Sequence, residues 1–303
     1  MKRVVFVLGP TASGKTALAM ELAKKWNGAI LNCDSLQIYQ RLDVGSAKPS
    51  LAERESVPHL LFDIVPPGQV LTAGDYRRLA LAALEESPCQ LILAVGGSGF
   101  YVQALEKGLF AVPKASAKNE RLVKEELEKW GAQKLWERLN REDPDSAARL
   151  NPNDSYRVGR ALTVLLDTGH GMAWWKAQFK PLPFPYPKLK IGLAPARADL
   201  EKRIHRRTAD MLLAGLLEET RQLLEDGFEK WPPLQSVGYK ECSDVLRGRM
   251  ATHHLREQIE LKTLQLAKKQ KTWFARDHEI VWLKDSDLVA EATRCVTRFI
   301  DET

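Results

Sequence analysis

Cysteine is scarce and scattered. Cys33, Cys89, Cys242 and Cys295 are the four in the chain, and no two of them form a C-x-x-C pair. This leaves no zinc knuckle and no disulfide framework to expect, and the thiols read as reduced and structural. The six histidines offer a metal little, because none stands at ligand spacing from another. No apolar run approaches the roughly 18 to 20 residues needed to span a bilayer. The first strand also lacks the charged, apolar and small-residue succession of a secretion signal, so a cytoplasmic location without a membrane partner is the default expectation. Neither sign of charge dominates: 45 Lys and Arg against 39 Asp and Glu leave a formal charge of +6. Such a balance favours a polyanionic partner only where the basic residues cluster.

What is present begins with enough apolar material for a core. With 303 residues and 44% apolar content, the chain can bury one large core, or one core plus a smaller appended unit. The buried-strand run Val4-Val5-Phe6-Val7-Leu8 leads into Gly9-Pro10-Thr11-Ala12-Ser13-Gly14-Lys15-Thr16 and then into an alanine-rich helical run, residues 17–23. The octapeptide matches the phosphate-binding loop G-x-x-x-x-G-K-[ST] in its strand-loop-helix setting. Gly9 and Gly14 let the backbone curl so that amide N–H groups converge on phosphate oxygens, and the helix N-terminus adds its partial positive charge. Lys15 supplies a point charge, and Thr16 offers a hydroxyl to a magnesium ion or a phosphate. A di- or triphosphate site follows from this; the reaction does not.

Two further segments, Ala29-Ile30-Leu31-Asn32 and Gln90-Leu91-Ile92-Leu93-Ala94-Val95, read as buried strands of a parallel sheet. In an open doubly wound sheet ligands collect outside the carboxyl ends of the strands. Asp34, Ser35 and Gln37, with Gly96, Gly97 and Ser98, should therefore face the crevice of the phosphate loop. From Pro113 the texture turns helical and charged, with Leu122, Val123, Leu127, Trp130, Leu135, Trp136 and Leu139 at three- and four-residue spacing. A proline-rich passage, residues 181–187, then leads into a strand at 189–194. The expectation is an α/β core of the P-loop NTPase type, a parallel sheet flanked by helices, built from residues 1–112 and 188–303. Residues 113–187 would be a mostly α-helical insertion. A long helix is expected from Glu257 to Phe274 and a short strand at 280–283.

Asp34 is a candidate general base for a proton leaving a nucleophile, or else a magnesium ligand or helix cap with Ser35. Phosphate-loop hydrolases and many kinases carry a metal-holding aspartate at the end of a later strand. Here the clearest later strand ends in Gly96-Gly97-Ser98-Gly99, which argues against phosphoryl transfer and admits a pyrophosphate that departs whole. Arg203 and Arg207 share a helix face, where they could clamp a diphosphate or form part of a solvated basic face. The run Lys262, Lys268, Lys269, Lys271 and Arg276 encloses Trp273 and Phe274. It suits an RNA backbone with stackable bases, or a solvated helix whose aromatics pack inward.

Together these segments resemble the tRNA dimethylallyltransferase (isopentenyltransferase) family over almost the whole chain. The resemblance rests on residues 9–16, on Asn32-Cys33-Asp34-Ser35-Leu36-Gln37-Ile38-Tyr39, on Gly45-Ser46-Ala47-Lys48-Pro49 and on Gly96-Gly97-Ser98-Gly99-Phe100-Tyr101. It continues in Asn151-Pro152-Asn153-Asp154 with Arg157 and Arg160, in Val237-Gly238-Tyr239-Lys240-Glu241 and in Lys268-Lys269-Gln270-Lys271-Thr272-Trp273-Phe274.

The resemblance implies transfer of a dimethylallyl group from dimethylallyl diphosphate to N6 of adenosine 37 in tRNA, with magnesium assisting. Asp34 would take the N6 proton, Lys15 and Thr16 would hold the diphosphate with the loop amides, and Arg207 would stabilise the leaving group. RNA contacts are implied at Asp34, Ser35, Leu36, Gln37 and Ser98, and at Arg157, Val158, Gly159, Arg160 and Ala161. They are implied also at Gln235, Ser236, Val237, Gly238, Tyr239 and Lys240, and at Lys268, Lys269, Gln270, Lys271, Thr272, Trp273, Phe274 and Ala275. The insertion would close over the anticodon stem, and a monomer is the expected species. Three positions depart from the family: Ser98 stands where threonine is usual, Asn151 where histidine is common and Ala275 where arginine is common. The last change could remove a phosphate contact. A small-molecule kinase, a transferase acting on free adenine nucleotides and a non-catalytic RNA-binding switch are the rival readings.

Overall fold

The computed structural model describes all residues except 111, 114, 285 and 286. The chain starts with β1 (Arg3–Leu8), α1 (Lys15–Lys25), β2 (Ala29–Asn32), α2 (Leu51–Ser56), β3 (His59–Leu60), α3 (Ala73–Glu86), β4 (Leu91–Gly96) and α4 (Gly99–Lys107). Four helices follow: α5 (Ala117–Glu142), α6 (Pro144–Ala147), α7 (Ser155–Thr168) and α8 (Met172–Ala177). The chain continues through β5 (Lys188–Leu193), α9 (Arg197–Leu213), α10 (Leu216–Glu225), α11 (Tyr239–Leu246), α12 (Leu255–Phe274), β6 (Val281–Leu283) and α13 (Leu288–Glu302).

The six strands form one sheet in the order β3-β2-β4-β1-β5-β6, and every pairing is parallel. Val4, Val5, Phe6, Val7 and Leu8 are wholly buried, as a central parallel strand covered on both faces requires. Val5 lies opposite Leu93 on one side and Leu189 on the other. Leu18 and Leu22 of α1, with Ala292 and Val296 of α13, join Val5, Val7, Leu93 and Ile191 in one apolar cluster. Each such leucine contributes about 2 kcal/mol by leaving water. The order sends β1 to the middle, so the loop that follows it opens at the centre of the sheet's carboxyl edge, between the loops after β4 and β5.

Contacts divide the chain into one unit of residues Met1–Glu106 and Pro183–Thr303 and a second, Lys107–Leu182. The sequence expectation drew this division a few residues later on each side. The neck is set by a backbone bond from Leu182 N–H to the Lys107 carbonyl (3.1 Å), while Phe184 already packs on Phe6 (5.7 Å between ring centres). The second unit is helical and has its own core of Val123, Leu135, Leu139, Val158, Ala161 and Leu162. Gly131, at φ 77°, kinks α5 between two helical segments.

Strand β5 carries charge into the core. Lys188 and Lys190 alternate with Leu189 and Ile191, which places both ammonium groups on one face. Lys190 is 2% exposed, and its Nζ meets Glu106 of α4 (2.5 Å), Asp277 (2.8 Å) and Glu279 (3.0 Å). Lys188 pairs with Glu106 and Glu279 as well. Hydrogen bonds from Lys188, and then from Lys190, hold the Glu279 carboxyl down at about 2. Its contribution to stability is therefore complete above the ordinary carboxylate range and disappears as the pH falls towards about 2. A buried charge is stable only while its partners remain. Glu106→Gln is expected to lower the unfolding free energy by about 3 kcal/mol, read as a reduced urea midpoint at unchanged slope; an unchanged midpoint would mean that Asp277 and Glu279 suffice.

Candidate active site

The loop after β1 takes the form that its glycines permit. Gly9 has φ 147°, and a Cβ there would lie 2.5 Å from the Leu193 carbonyl oxygen, so a side chain would push β5 away. Gly14, in the left-handed region, begins α1, and Ala12 is also left-handed at φ 60°. The Ser13 hydroxyl is buried and finds no partner among the described residues. A curled loop at a helix N-terminus with an unmatched hydroxyl inside it is suited to the oxygens of an anion.

Three cations converge on this loop, and each rests on a backbone carbonyl. Lys15 Nζ donates to Pro10 O (2.6 Å), Arg203 Nη1 to Ser13 O (2.9 Å) and Arg207 Nη2 to Ser46 O (3.3 Å). Arg203 and Arg207 stand one turn apart on α9, the spacing that puts both on one face. A neutral carbonyl orients a cation without cancelling its charge, so the positive potential remains for an anion. Burial pushes the Lys15 ammonium down to about 8, with Asp34 pulling it back up and Arg207 pushing it further down. Burial likewise lowers the Arg207 guanidinium, opposed by Asp34.

Asp34 sits where β2 ends. Its position is fixed by the fully buried Asn32, whose Oδ1 accepts from Asp34 N–H (2.8 Å) while Nδ2 donates to the Asp34 and Leu61 carbonyls (3.1 and 3.0 Å). Asp34 Oδ1 accepts from Leu36 N–H (2.9 Å), a turn that short polar side chains form locally. None of the described residues donates to Oδ2. Ser98, just after β4, accepts from Ser35 N–H (3.0 Å) through its hydroxyl, the group that serine shares with threonine.

A cavity of about 460 Å³ is lined by the phosphate loop, Asp34, Gln37, Ser46, Arg203 and Arg207, among others. Its far wall, residues 43–48, is held by Glu219 of α10, which accepts from the N–H groups of Asp43 (3.0 Å), Val44 (2.9 Å) and Gly45 (3.1 Å) and from the Tyr239 hydroxyl (2.6 Å). Gln37 donates to the Ser46 and Ala47 carbonyls (3.1 and 3.2 Å). Among the described residues no three His, Cys, Asp or Glu side chains cluster as a metal cage would. Among the oxygens that line the cavity are the exposed Thr16 hydroxyl and the Asp34 carboxylate, which fit a magnesium ion bound chiefly by phosphate oxygens and water.

The IPP transferase family model matches residues 37–277. A tRNA dimethylallyltransferase of Bdellovibrio bacteriovorus is 43% identical over 99% of this chain and 98% of its own length. The chain belongs to the IPP transferase family. The tRNA isopentenylpyrophosphate transferase of Bacillus halodurans has the same fold with TM-score 0.72 and 30% identity, covering 100% of this chain and 98% of its own. A eukaryotic dimethylallyltransferase captured acting on tRNA matches with TM-score 0.80 and 26% identity, over 99% of this chain and 78% of its own. The expected P-loop-like parallel fold is thus the family's fold.

Within this IPP transferase, the residues singled out from sequence fall into three groups. Lys15, Thr16, Asp34, Gln37 and Arg207 line the one cavity, with Ser35, Leu36 and Ser98 forming the turn around Asp34. Gln235, Lys240, Lys268, Lys269, Lys271, Thr272, Trp273 and Ala275 are exposed, as is Arg157 at the start of α7, while Ser236, Val237, Gly159 and Arg160 are half-buried. Tyr239, Val158, Ala161 and Phe274 are corrections: their side chains are buried and have no surface to give RNA. Tyr239 instead packs under Gly45, where a Cβ would lie 2.4 Å from its ring, and the buried Gly238 begins α11 with its N–H on Glu241 (2.7 Å). Gln270 points inward too, onto Thr11 N–H (2.8 Å).

Sequence reasoning missed Glu219 and Asn32 and weighed Arg203 without committing to it. Asn32 had a signal, an amide in a buried strand two residues before the aspartate; Glu219 had none, since the three N–H groups it accepts from lie far back in the chain.

Because an anion binds the charged form of Lys15, affinity for an alkyl diphosphate should be flat below pH 8 and fall above it. The fall should approach about tenfold per pH unit. Calorimetry from pH 7 to 10 checks this, with Lys15→Met expected to be weaker and flat across the same range.

Proposed function

We propose that this chain transfers the dimethylallyl group of dimethylallyl diphosphate to N6 of adenosine 37 in the anticodon loop of tRNA, releasing diphosphate. The observation that carries the reading is Asp34: one carboxylate oxygen is fixed by Leu36 N–H, the other is open, and the group shares its cavity with Lys15, Arg203 and Arg207. That arrangement suits an allylic substitution. The carbon–oxygen bond breaks with its electron pair leaving on the diphosphate, the N6–carbon bond forms, and the N6 proton passes to Asp34. Lys15, Arg203 and Arg207 neutralise the departing charge, and the loop amides hold it in place. A magnesium ion on the diphosphate, with Thr16 as its protein ligand, supplies further charge neutralisation when bound.

The acceptor must leave its stack to reach the bottom of the crevice. Lys268, Lys269 and Lys271, exposed on α12, suit the RNA backbone, and Trp273, 41% exposed beside them, suits a base. Arg157 adds a further exposed cation. Every group named lies on one chain, so a monomer is sufficient. A tRNA substrate implies a cytoplasmic setting, and among the described residues no helix is long and apolar enough to cross a membrane.

The test is incubation with unmodified tRNA, magnesium and labelled dimethylallyl diphosphate, followed by digestion and a search for labelled N6-dimethylallyladenosine at position 37. Asp34→Asn is expected to lower kcat by about 10² to 10⁴-fold with tRNA affinity retained. An Asp34→Asn chain of full activity would remove Asp34 as the base.

A further inference from the structure

Helix α12 has two working sides. On one, Lys268, Lys269, Lys271 and Thr272 face solvent. On the other, the amide of Gln270 joins two loops at the carboxyl edge of the sheet: Oε1 accepts from Thr11 N–H (2.8 Å) and Nε2 donates to the Gly97 carbonyl (3.1 Å). These loops follow β1 and β4, adjacent strands paired up to Leu8 and Gly96. The fit is close, since a Cβ on Gly97 would lie 2.4 Å from Gln270 Nε2. One turn on, the Trp273 indole covers Gly99, where a Cβ would lie 2.2 Å from it. Between the two glycines stands Ser98, whose hydroxyl holds Ser35 beside Asp34.

We infer that Gln270 is a positioning residue that couples RNA held on the basic side of α12 to the shape of the phosphate loop. The inference rests on the proposed RNA substrate. Ala12, next to Thr11, is held at φ 60°, a conformation that persists in a non-glycine residue only where its surroundings over-determine it. The Gln270 bond to Thr11 is one such determinant. A helix moves as a rod, so RNA that pins the lysines pins Gln270, and with it the loop amide and the Gly97–Gly99 turn. The ordering is then complete before the diphosphate arrives, and the second ligand binds more tightly for it.

Calorimetry with a non-reactive dimethylallyl diphosphate analogue, with and without saturating unmodified anticodon stem-loop RNA at fixed salt, measures the coupling. The wild-type chain should bind the analogue about tenfold more tightly when RNA is bound. Gln270→Ala should bring that ratio within about twofold of unity while RNA affinity alone changes by less than about threefold. Gln270→Met, which keeps the side-chain volume and removes both hydrogen bonds, should behave the same way; full coupling in the Met variant would overturn the inference by making packing sufficient. A wild-type chain that binds RNA and shows no coupling overturns the inference alone. One that binds no RNA at all overturns the proposed function with it.

Discussion

The gathering of like charge at one end of a parallel sheet is the constraint around which this molecule is arranged. Lys15, Arg203 and Arg207 are brought close together with Asp34 as the acidic group that both Lys15 and Arg207 feel. Left in water, such groups would separate. Here Lys15 and Arg203 are tethered to carbonyls of the phosphate loop and Arg207 to the Ser46 carbonyl of the facing wall, and neutral tethers set direction while leaving net charge in place. The cost falls on the surrounding fold. It is met by α9 packed against α12 and α10, by a strand edge that cannot fray because it is central, and by a wall loop whose amides end on Glu219.

Three glycines show how segments distant in sequence become one site. Gly45 receives the ring of Tyr239, Gly97 the amide of Gln270 and Gly99 the indole of Trp273, and in each case a methyl group would overlap the partner. Each short motif is therefore half of a contact. Motifs of the diphosphate side are matched with motifs of the proposed RNA side, and the interlocking leaves little freedom to alter one without the other.

Much of this was legible in the residues. The run Val4 to Leu8 and the loop after it announce the central strand, and Asp34 after a buried β2 falls where a parallel sheet collects its ligands. The strand β3 was not legible, because two residues carry no period, and its place in the sheet comes from pairing with β2. Side-chain character misled in both directions. Lys190 is a charged residue that lies in the core; Tyr239 and Phe274 lie in motifs that read as contacts and are support. Glu219 looked like any helix acid, since what distinguishes it is three N–H groups in a loop that only folding brings to it. Local pattern fixes which way a strand or helix faces; it carries no record of which distant partner will meet it.

The paired lysines of β5 act on the chain's bookkeeping of position. After the long excursion through the second unit, the backbone must re-enter the sheet beside β1 at one register among several. Along Lys188–Leu193 a slip of one residue would turn both ammonium groups to the apolar cluster and bring Leu189 and Ile191 to Glu106. The strand thus carries its own keyed fit, independent of how many residues intervene. Length changes in the helical unit can accumulate without shifting Gly192 and Leu193 against the phosphate loop, which makes the insertion free to vary in size and the catalytic edge indifferent to it.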